Sequence, residues 1–429
     1  MLTLRELGMA IRSGELSPVH HVDDVLSRLR DDELNTVVAL DPDRALADAA
    51  ERAAELARGQ WRGPLHGVAI GVKDLIDVAG LPTRAGSAVL ADAPPAAVDA
   101  PVVARLREAG AVVVAKLHTH EFAYGPTGDV AAGGPARNPH DPARITGGSS
   151  SGSAAAVAAG YLPLALGTDT GCSVRTPAAL CGVIGLKPTR GRLPTGGVFP
   201  LSETCDHVGF LTADVHGASV VWDVLSRADG TGGGIQPPGV DGVRVGVPVD
   251  PYWRTADPVL EQAATAAVAR LAARGAHVVE IATPGIDELA ATYAPIVGAE
   301  AYATHAAWLR DRPQDYQAAT RERIERFAKL PARAYVDAQR ARVRLTGELR
   351  RALDGVDVLV LPTTRLRATP IGTSTVEVDG VPVPVWSSLL ALTLPFDLTG
   401  WPAVSVPVPV AGLPAGVQVV GVGLEERGM

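Results

Sequence analysis

Three segments of the chain carry side chains that together could perform acyl transfer without a histidine. They contain Lys73, Ser149 and Ser173, and the two serines lie in the glycine-rich stretches 147–153 and 169–175. A serine hydroxyl becomes a nucleophile when a base takes its proton, and a lysine with a lowered pKa can be that base. A second serine between them can pass the proton. The pattern indicates acyl-transfer chemistry on an amide or an ester.

Ser173 follows a predicted strand and lies in the turn Asp-Thr-Gly-Cys-Ser. Glycine permits tight turns in which consecutive backbone N–H groups converge on one point. Such a group of donors is what a developing oxyanion requires. Taken alone, the same residues also fit an ordinary turn between a strand and a helix.

The serine-rich run 147–153 precedes residues 154–159, Ala-Ala-Ala-Val-Ala-Ala, which are predicted to form a helix. Its serines therefore lie at a helix N-terminus, where they serve as caps or in catalysis, and the composition also fits a flexible linker. No lysine follows the glycines as in a Walker phosphate loop, so a nucleotide site is not predicted.

Lys73 ends the apolar run 68–72, which is predicted to be a strand. A lysine in this position is usually exposed to solvent. If it is buried beside hydroxyl groups instead, its pKa falls from about 10.4 toward neutrality, and it can then act as a general base.

The rest of the chain must supply the elements that position these side chains. Its 429 residues are 47% hydrophobic and 20% charged, which is typical of a globular protein with a large core. Short β-branched runs alternate with alanine-rich helical runs, so we predict an α/β/α layered fold with a mixed, mostly parallel central sheet. Strands are predicted at 68–72, 111–115, 161–167, 243–247, 276–281, 356–361, 404–408 and 416–422, and helices at 44–58, 100–108, 151–159, 256–273 and, as one long polar region, 314–351.

We predict one domain over residues 1–429. It comprises an N-terminal helical segment at 1–62, a core at 63–228 that carries the motifs, and the remaining strands and substrate-side helices at 243–429. The stretch 229–242 is rich in glycine and proline and is predicted to be a linker loop within that domain.

Composition excludes several classes of function. The formal net charge of −8 argues against a nucleic-acid surface. Cys172, Cys181 and Cys205 form neither a disulfide framework nor a zinc-binding pair and are predicted to be reduced. No signal peptide is recognisable, and the longest apolar stretch is interrupted by Gly160 and Pro163, so we predict a cytoplasmic protein without membrane contact. A homodimer is a possible oligomeric state that the sequence neither predicts nor excludes.

The motifs resemble those of the amidase signature family of serine hydrolases. The run 147–153 is similar to the family's Gly-Gly-Ser-Ser-Gly-Gly-Ser, with Ser151 in place of a glycine, and 167–179 resembles its nucleophile segment. Ser149 and Ser173 are 24 residues apart, which also fits the family. Similarity of this kind covers nearly all of the chain from about residue 63, although the C-terminus stops before the last helix that family members usually have, so that helix is expected to be short or missing.

The resemblance implies a mechanism. Ser173 would be the nucleophile, Ser149 the bridging hydroxyl and Lys73 the base, with a cis peptide bond before Ser149 and no metal or organic cofactor. It also implies an oxyanion hole made of four backbone amides, those of Thr170, Gly171, Cys172 and Ser173. Cys172 stands where glycine is commoner, and its Cβ limits the dihedral angles of that turn.

Further residues near the motifs have predicted roles. By resemblance, Tyr124, Gly125 and Ser150 line the substrate. Asp169 and Arg175 flank the nucleophile and are interpreted as a pair that orders its turn. His118, His120 and Glu121 are potential metal ligands that lie close together in the sequence. Their spacing does not match that of ligands on one face of a helix, so a structural role is favoured over metal binding.

The leading functional hypothesis is an amidase that hydrolyses a small, uncharged or mono-acidic carboxamide. One alternative is the A subunit of a glutamine-dependent tRNA amidotransferase, although Thr176 stands where those subunits typically carry glutamine. Another is a catalytically silent interaction protein, which the intact set of lysine and serines disfavours. The substrate itself is not predicted, because the charged residues between Glu300 and Arg342 fit either a carboxylate anchor or solvated helix faces.

Overall fold

A computed structural model of the protein describes residues 2–226, 239–378 and 380–422. Its helices are α1 (Leu4–Ser13), α2 (Pro18–Arg30), α3 (Pro42–Ala57), α4 (Pro101–Glu108), α5 (Ser151–Ala158), α6 (Arg175–Cys181), α7 (Val215–Ser226), α8 (Pro258–Ala272), α9 (Ile286–Ala291), α10 (Tyr293–Asp311), α11 (Ala318–Glu325), α12 (Ala332–Ala352), α13 (Val385–Leu390) and α14 (Leu394–Thr399). Its strands are β1 (Val37–Leu40), β2 (Ala69–Lys73), β3 (Val112–Leu117), β4 (Arg137–Asn138), β5 (Asp141–Ile145), β6 (Leu164–Asp169), β7 (Ile184–Lys187), β8 (His207–Thr212), β9 (Arg244–Pro248), β10 (His277–Ile281), β11 (Val358–Pro362), β12 (Thr375–Val378), β13 (Val381–Pro384), β14 (Ala403–Val408) and β15 (Ala415–Gly421).

Eleven of these strands form one sheet in the order β1-β3-β2-β6-β8-β7-β14-β15-β11-β9-β10. β2 pairs in parallel with β3 and β6, and β9 pairs in parallel with β10 and β11. The other neighbouring pairs in this sheet are antiparallel. The α/β fold with a mixed central sheet is therefore confirmed, and its antiparallel share is larger than the alternation of sequence patterns indicates.

Helices cover both faces of the sheet. Alternate residues of β2 enter two different hydrophobic clusters: Ile70 and Val72 pack with residues of α1, α4 and α7, whereas Ala69 packs with residues of α2, α3, α5 and α6. This alternation follows from the two-residue repeat of a strand, whose successive side chains point to opposite faces. The layered arrangement leaves the ends of the strands free to carry polar groups.

Helix α5 is buried over most of its length, which its alanines and serines allow because small side chains let other backbones approach. Gly152 shows how close the approach is. A Cβ there would lie 2.4 Å from the Thr36 carbonyl oxygen and 2.5 Å from the backbone nitrogen of His118. The glycine-rich run before α5 is thus part of the packed core and not a flexible linker.

The structure corrects one prediction of local structure and refines another. The segment 1–62 is not wholly helical, because β1 lies within it and pairs with β3. The polar region 314–351 is helical, as predicted, and consists of two helices: α11 ends at Glu325 and α12 begins after Pro331, whose ring is compatible with a helix start but not with a helix interior.

Two other predictions concern residues outside the described ranges. The proposed linker at 229–242 lies mostly in the gap 227–238, and the predicted absence of a C-terminal helix concerns residues 423–429. Within the described ranges, no helix has the length and hydropathy needed to cross a membrane.

Candidate active site

The carboxyl ends of β2 and β6 meet at one edge of the sheet. The two strands are parallel neighbours, with Gly71 opposite Ala165 and Val72 opposite Leu166. Lys73 therefore ends β2 next to the end of β6, and the N-termini of α5 and α6 reach the same edge. In α/β sheets such an edge is the usual place for a ligand site.

The ammonium of Lys73 is fully buried and is surrounded by hydroxyl groups. Its Nζ donates hydrogen bonds to Ser149 Oγ at 2.8 Å, Ser150 Oγ at 2.9 Å and Thr168 Oγ1 at 2.8 Å. Burial lowers the pKa of Lys73 to about 7, because the charged form loses its hydration and the three partners are neutral. The lysine is buried beside hydroxyls, as the catalytic interpretation requires.

Ser150 and Thr168 complete this cluster, and neither was assigned to it from the sequence. Ser150 was predicted to line the substrate, but its hydroxyl is directed to Lys73 and to the backbone of Thr168, where it donates to the carbonyl oxygen at 3.2 Å and accepts from the amide at 3.3 Å. Thr168 offered one sequence signal, since it is a hydroxyl residue two positions before Thr170 in the strand that precedes the nucleophile motif.

The peptide bond between Gly148 and Ser149 is cis, as the resemblance implies. Backbone hydrogen bonds hold it on both sides. The Gly148 amide donates to the Pro126 carbonyl at 2.7 Å, and the Ser149 carbonyl accepts from the His120 amide at 3.1 Å. These contacts fix the direction in which the Ser149 side chain leaves the backbone.

Asp169 and Arg175 order the turn that carries Ser173, as predicted. The Asp169 carboxylate accepts hydrogen bonds from the amides of Val174 at 3.0 Å and Arg175 at 3.3 Å. The Arg175 guanidinium donates to both oxygens of Asp169 at 3.0 Å and to Asp397 of α14 at 2.5 Å. All three side chains are fully buried.

The backbone of the turn has unused donors. In the part of the chain that the structure describes, the N–H groups of Thr170, Gly171, Cys172 and Ser173, the four predicted oxyanion donors, donate no hydrogen bond. The Ser173 carbonyl accepts from the Ser150 amide at 3.1 Å, which joins the turn to the serine run. Consecutive free amides of this kind can stabilise an oxyanion.

Cys172 fits the turn without strain, because its φ is not positive and its backbone therefore lies outside the left-handed region. Its Sγ lies 3.5 Å from the Gly148 carbonyl oxygen and 4.0 Å from Ser173 Oγ. Burial raises the pKa of the thiol to about 12. Cys172 is therefore uncharged at neutral pH and unsuited to nucleophilic attack.

One aromatic side chain lies against the turn, and an arginine stacks on two further aromatic rings. A Cβ on Gly171 would lie 2.5 Å from the Tyr293 hydroxyl oxygen, so this tyrosine of α10 lies directly against the turn. Tyr124 is buried, and the Arg323 guanidinium of α11 lies over its ring at 5.4 Å and over the ring of Trp386 at 5.0 Å. Sequence reasoning had singled out only Tyr124 of these four.

Gly125 is fixed by packing. A Cβ there would lie 2.1 Å from His120 Nε2, so only glycine fits without displacement of the ring. The His120 ring thus packs directly against the predicted substrate-lining residue Gly125.

The three residues that could suggest a metal make separate contacts. His118 contacts Ser151 Oγ, His120 Nδ1 accepts from the Gly128 amide, and Glu121 accepts from Ser87 Oγ. In the described residues no group of three potential ligands is placed to hold a metal ion.

The fold and these motifs place the chain in the amidase family, to which it belongs: the family's sequence pattern matches residues 22–429. This is the amidase signature family of hydrolases that the motifs resemble.

Relatives of this chain include the AtzE component of 1-carboxybiuret hydrolase from Pseudomonas sp. strain ADP, which is 37% identical over 431 residues, or 97% of this chain and 93% of the relative. The A subunit of glutamyl-tRNA(Gln) amidotransferase from Symbiobacterium thermophilum is 35% identical over 460 residues, or 98% of this chain and 93% of the relative. A crystal structure of an amidase is similar with a TM-score of 0.92 at 38% identity, covering 100% of this chain and 97% of the other.

Proposed function

We propose that this protein hydrolyses the C–N bond of a small carboxamide through an acyl-enzyme on Ser173. The observation that carries the proposal is the buried Lys73 Nζ, which lies 2.8 Å from Ser149 Oγ and whose pKa burial lowers to about 7. A lysine with this pKa is partly neutral at physiological pH and can accept a proton. The free amides of the neighbouring turn supply donors for the oxyanion.

In the proposed reaction Ser149 passes its proton to the neutral amine of Lys73 and receives the proton of Ser173. Ser173 Oγ then bonds to the amide carbon, and the carbonyl oxygen becomes an oxyanion held by the backbone amides of residues 170–173. Collapse breaks the C–N bond, and the proton returns from Lys73 through Ser149 to the leaving nitrogen. Water repeats the sequence, releases the carboxylic acid and restores the Ser173 hydroxyl.

Arg323 supports a substrate that carries a carboxylate besides the amide. Its guanidinium stacks on the rings of Tyr124 and Trp386, and in the described part of the chain it forms no ion pair. Burial lowers its pKa, because the guanidinium loses part of its hydration. A carboxylate that binds such a cation stabilises its charged form through charge-assisted hydrogen bonds. The relative named as a 1-carboxybiuret hydrolase acts on a carboxylated compound by its name, which agrees with this assignment.

A fluorophosphonate probe, which reacts with activated serines, tests the reaction. We expect rapid labelling of the wild-type protein, none in Ser173→Ala, and strongly slowed labelling in Lys73→Ala and Ser149→Ala. Ser153→Ala is the matched control, because Ser153 is a buried serine of the same run whose hydroxyl donates to the Leu166 carbonyl at 2.9 Å and not to the lysine cluster. Labelling that persists in Ser173→Ala would refute the nucleophile.

Two amides of equal length test the substrate class. Succinamate carries a carboxylate and butyramide does not, so kcat/KM for succinamate should exceed that for butyramide in the wild type. In Arg323→Gln this preference should disappear, while Arg326→Gln, one turn further along, should retain it. If the ratio of the two kcat/KM values is the same in Arg323→Gln as in the wild type, Arg323 does not bind a substrate carboxylate. The proposed hydrolysis itself would not be affected by that result.

The A subunit of a glutamine-dependent tRNA amidotransferase is a second candidate, since such subunits are among the relatives. Ammonia release from glutamine that appears only when the other subunits of such a complex are added would favour it. Ammonia release from simple carboxamides by the protein alone would favour the amidase.

A further inference from the structure

Asp206 is a buried carboxylate that the proposed mechanism does not use. Thr170, the first residue of the predicted oxyanion turn, donates its hydroxyl hydrogen to Asp206 Oδ1 at 2.6 Å. Asp206 Oδ2 accepts from the amides of Leu201 at 3.0 Å and Ser202 at 3.1 Å. Among the described residues, each group that hydrogen-bonds to the carboxylate is a donor, so these bonds suit its ionised form.

The loop that contains Asp206, residues 201–206, is held from the other side by α10. Glu300 of that helix accepts from Ser202 Oγ at 2.6 Å, from the Thr204 amide at 3.1 Å and from Thr204 Oγ1 at 2.8 Å. Two carboxylates therefore order the loop, Glu300 from outside it and Asp206 from within it. One belongs to the helix that also carries Tyr293, and the other contacts the oxyanion turn.

We propose that Asp206 is a positioning residue that fixes the oxyanion turn through the Thr170 hydroxyl. At its other end the turn is held through the Ser173 carbonyl, which accepts from the Ser150 amide, whereas its amides at 171–173 have no partner among the described residues. The Thr170 bond supplies a side-chain anchor immediately before these amides. This inference rests on the proposed function, since it assigns a role to the turn in that reaction.

Charged groups around Asp206 give the proposal a second readout. Glu300 faces it from α10 and, together with the dominant effect of burial, raises the pKa of Asp206 to about 7. Arg342 of α12 contacts the same loop at Thr204 and Cys205. The negative charge of Asp206 raises the pKa of Lys73, less than Asp169 does, so neutralising Asp206 must lower that pKa.

The experiment measures the second-order rate of fluorophosphonate labelling against pH in Thr170→Val, Thr170→Ser and Asp206→Asn. Thr170→Val and Asp206→Asn should slow labelling by about 10- to 100-fold, because misplaced oxyanion donors cost rates of this order. Thr170→Ser keeps the hydroxyl and should label faster than Thr170→Val. In Asp206→Asn the acidic limb of the pH profile should also move to lower pH.

Thr212→Val is the matched control for the loss of a buried hydroxyl. Thr212 lies at the far end of β8, and its Oγ1 donates to the Asp214 carbonyl at 2.9 Å. It should unfold at a lower temperature but label at the wild-type rate. Wild-type labelling rates in Thr170→Val and Asp206→Asn, or equal slowing in Thr212→Val, would overturn the positioning role while leaving the proposed reaction intact. A wild-type protein that is not labelled at Ser173 would overturn both.

Discussion

Lys73 and Ser149 are 76 positions apart in the chain, yet Lys73 Nζ and Ser149 Oγ lie within 2.8 Å of each other in a fully buried cluster. The contact depends on two independent constraints. Parallel pairing brings the end of β2 beside β6, and the packing of α5 on the sheet sets the serine run against that end. The predictions below test what this cluster and its surroundings contribute.

The labelling rate of the wild-type protein should rise with pH through about 7. Lys73 must be neutral to accept a proton, and burial lowers its pKa to about 7, so the active form is depleted below that pH. Lys73→Ala should remove this limb and lower the rate by about 10²- to 10⁴-fold, the usual contribution of a general base. An acidic limb that persists unchanged in Lys73→Ala would assign the titration to another group.

Thr168→Val should shift the same limb to lower pH. The hydroxyl of Thr168 accepts a hydrogen bond from the Lys73 ammonium at 2.8 Å, so its loss destabilises the charged form and lowers the pKa of the lysine. Thr168→Ser retains an acceptor and is expected to keep the wild-type profile. A shift to higher pH in the valine variant would contradict this account of the cluster.

Arg175→Met should destabilise the protein by about 3–5 kcal/mol at neutral pH, because it leaves the buried carboxylates of Asp169 and Asp397 without their cation. Burial raises the pKa of Asp397, so the folded state of the variant holds protons more tightly than the unfolded chain. Its deficit should therefore shrink as the pH falls and grow as the pH rises.

Urea unfolding at several pH values measures this effect. The double variant Arg175→Met with Asp397→Asn removes one of the stranded charges and should recover part of the lost stability. If the double variant is no more stable than the single one, the buried carboxylate of α14 is not the source of the cost.

Gly125→Ala should lower both stability and the labelling rate. The new Cβ would lie 2.1 Å from His120 Nε2, and accommodation of such an overlap costs about 1–3 kcal/mol. Gly133→Ala is the control, because a Cβ there meets no atom within 4 Å and its φ is not left-handed. Thermal unfolding should separate the two, and an unchanged melting temperature in Gly125→Ala would show that the ring moves freely.

Much of the local structure was predictable from sequence because it depends on short-range patterns. The apolar run before Lys73 and the small-residue run after Ser153 gave β2 and α5 within a few residues. β1 was missed because its four residues lie between two strongly helical segments and pair only with the distant β3. The predicted helical region 314–351 is divided at Pro331, a break that the proline itself indicates in the sequence.

The site was predictable only in part. Motif order singled out Lys73, Ser149 and Ser173, but the partners Ser150 and Thr168 depend on how two strands and a helix pack, which no local pattern encodes. The same holds for Arg323, which sequence alone could not separate from the solvated arginines around it. Tyr293 gave no signal at all, since its contact with Gly171 joins residues more than a hundred positions apart.

The environment of Lys73 consists of three hydroxyl groups, and each of them can donate as well as accept. If carboxylates held the ammonium, its deprotonation would leave their buried negative charges without a cation, and the surrounding atoms would have to move to compensate. Here the neutral amine needs only the rotation of one O–H bond to regain a partner. The pocket can thus pass through both protonation states with its heavy atoms at rest, so a full turnover demands little reorganisation of the protein interior.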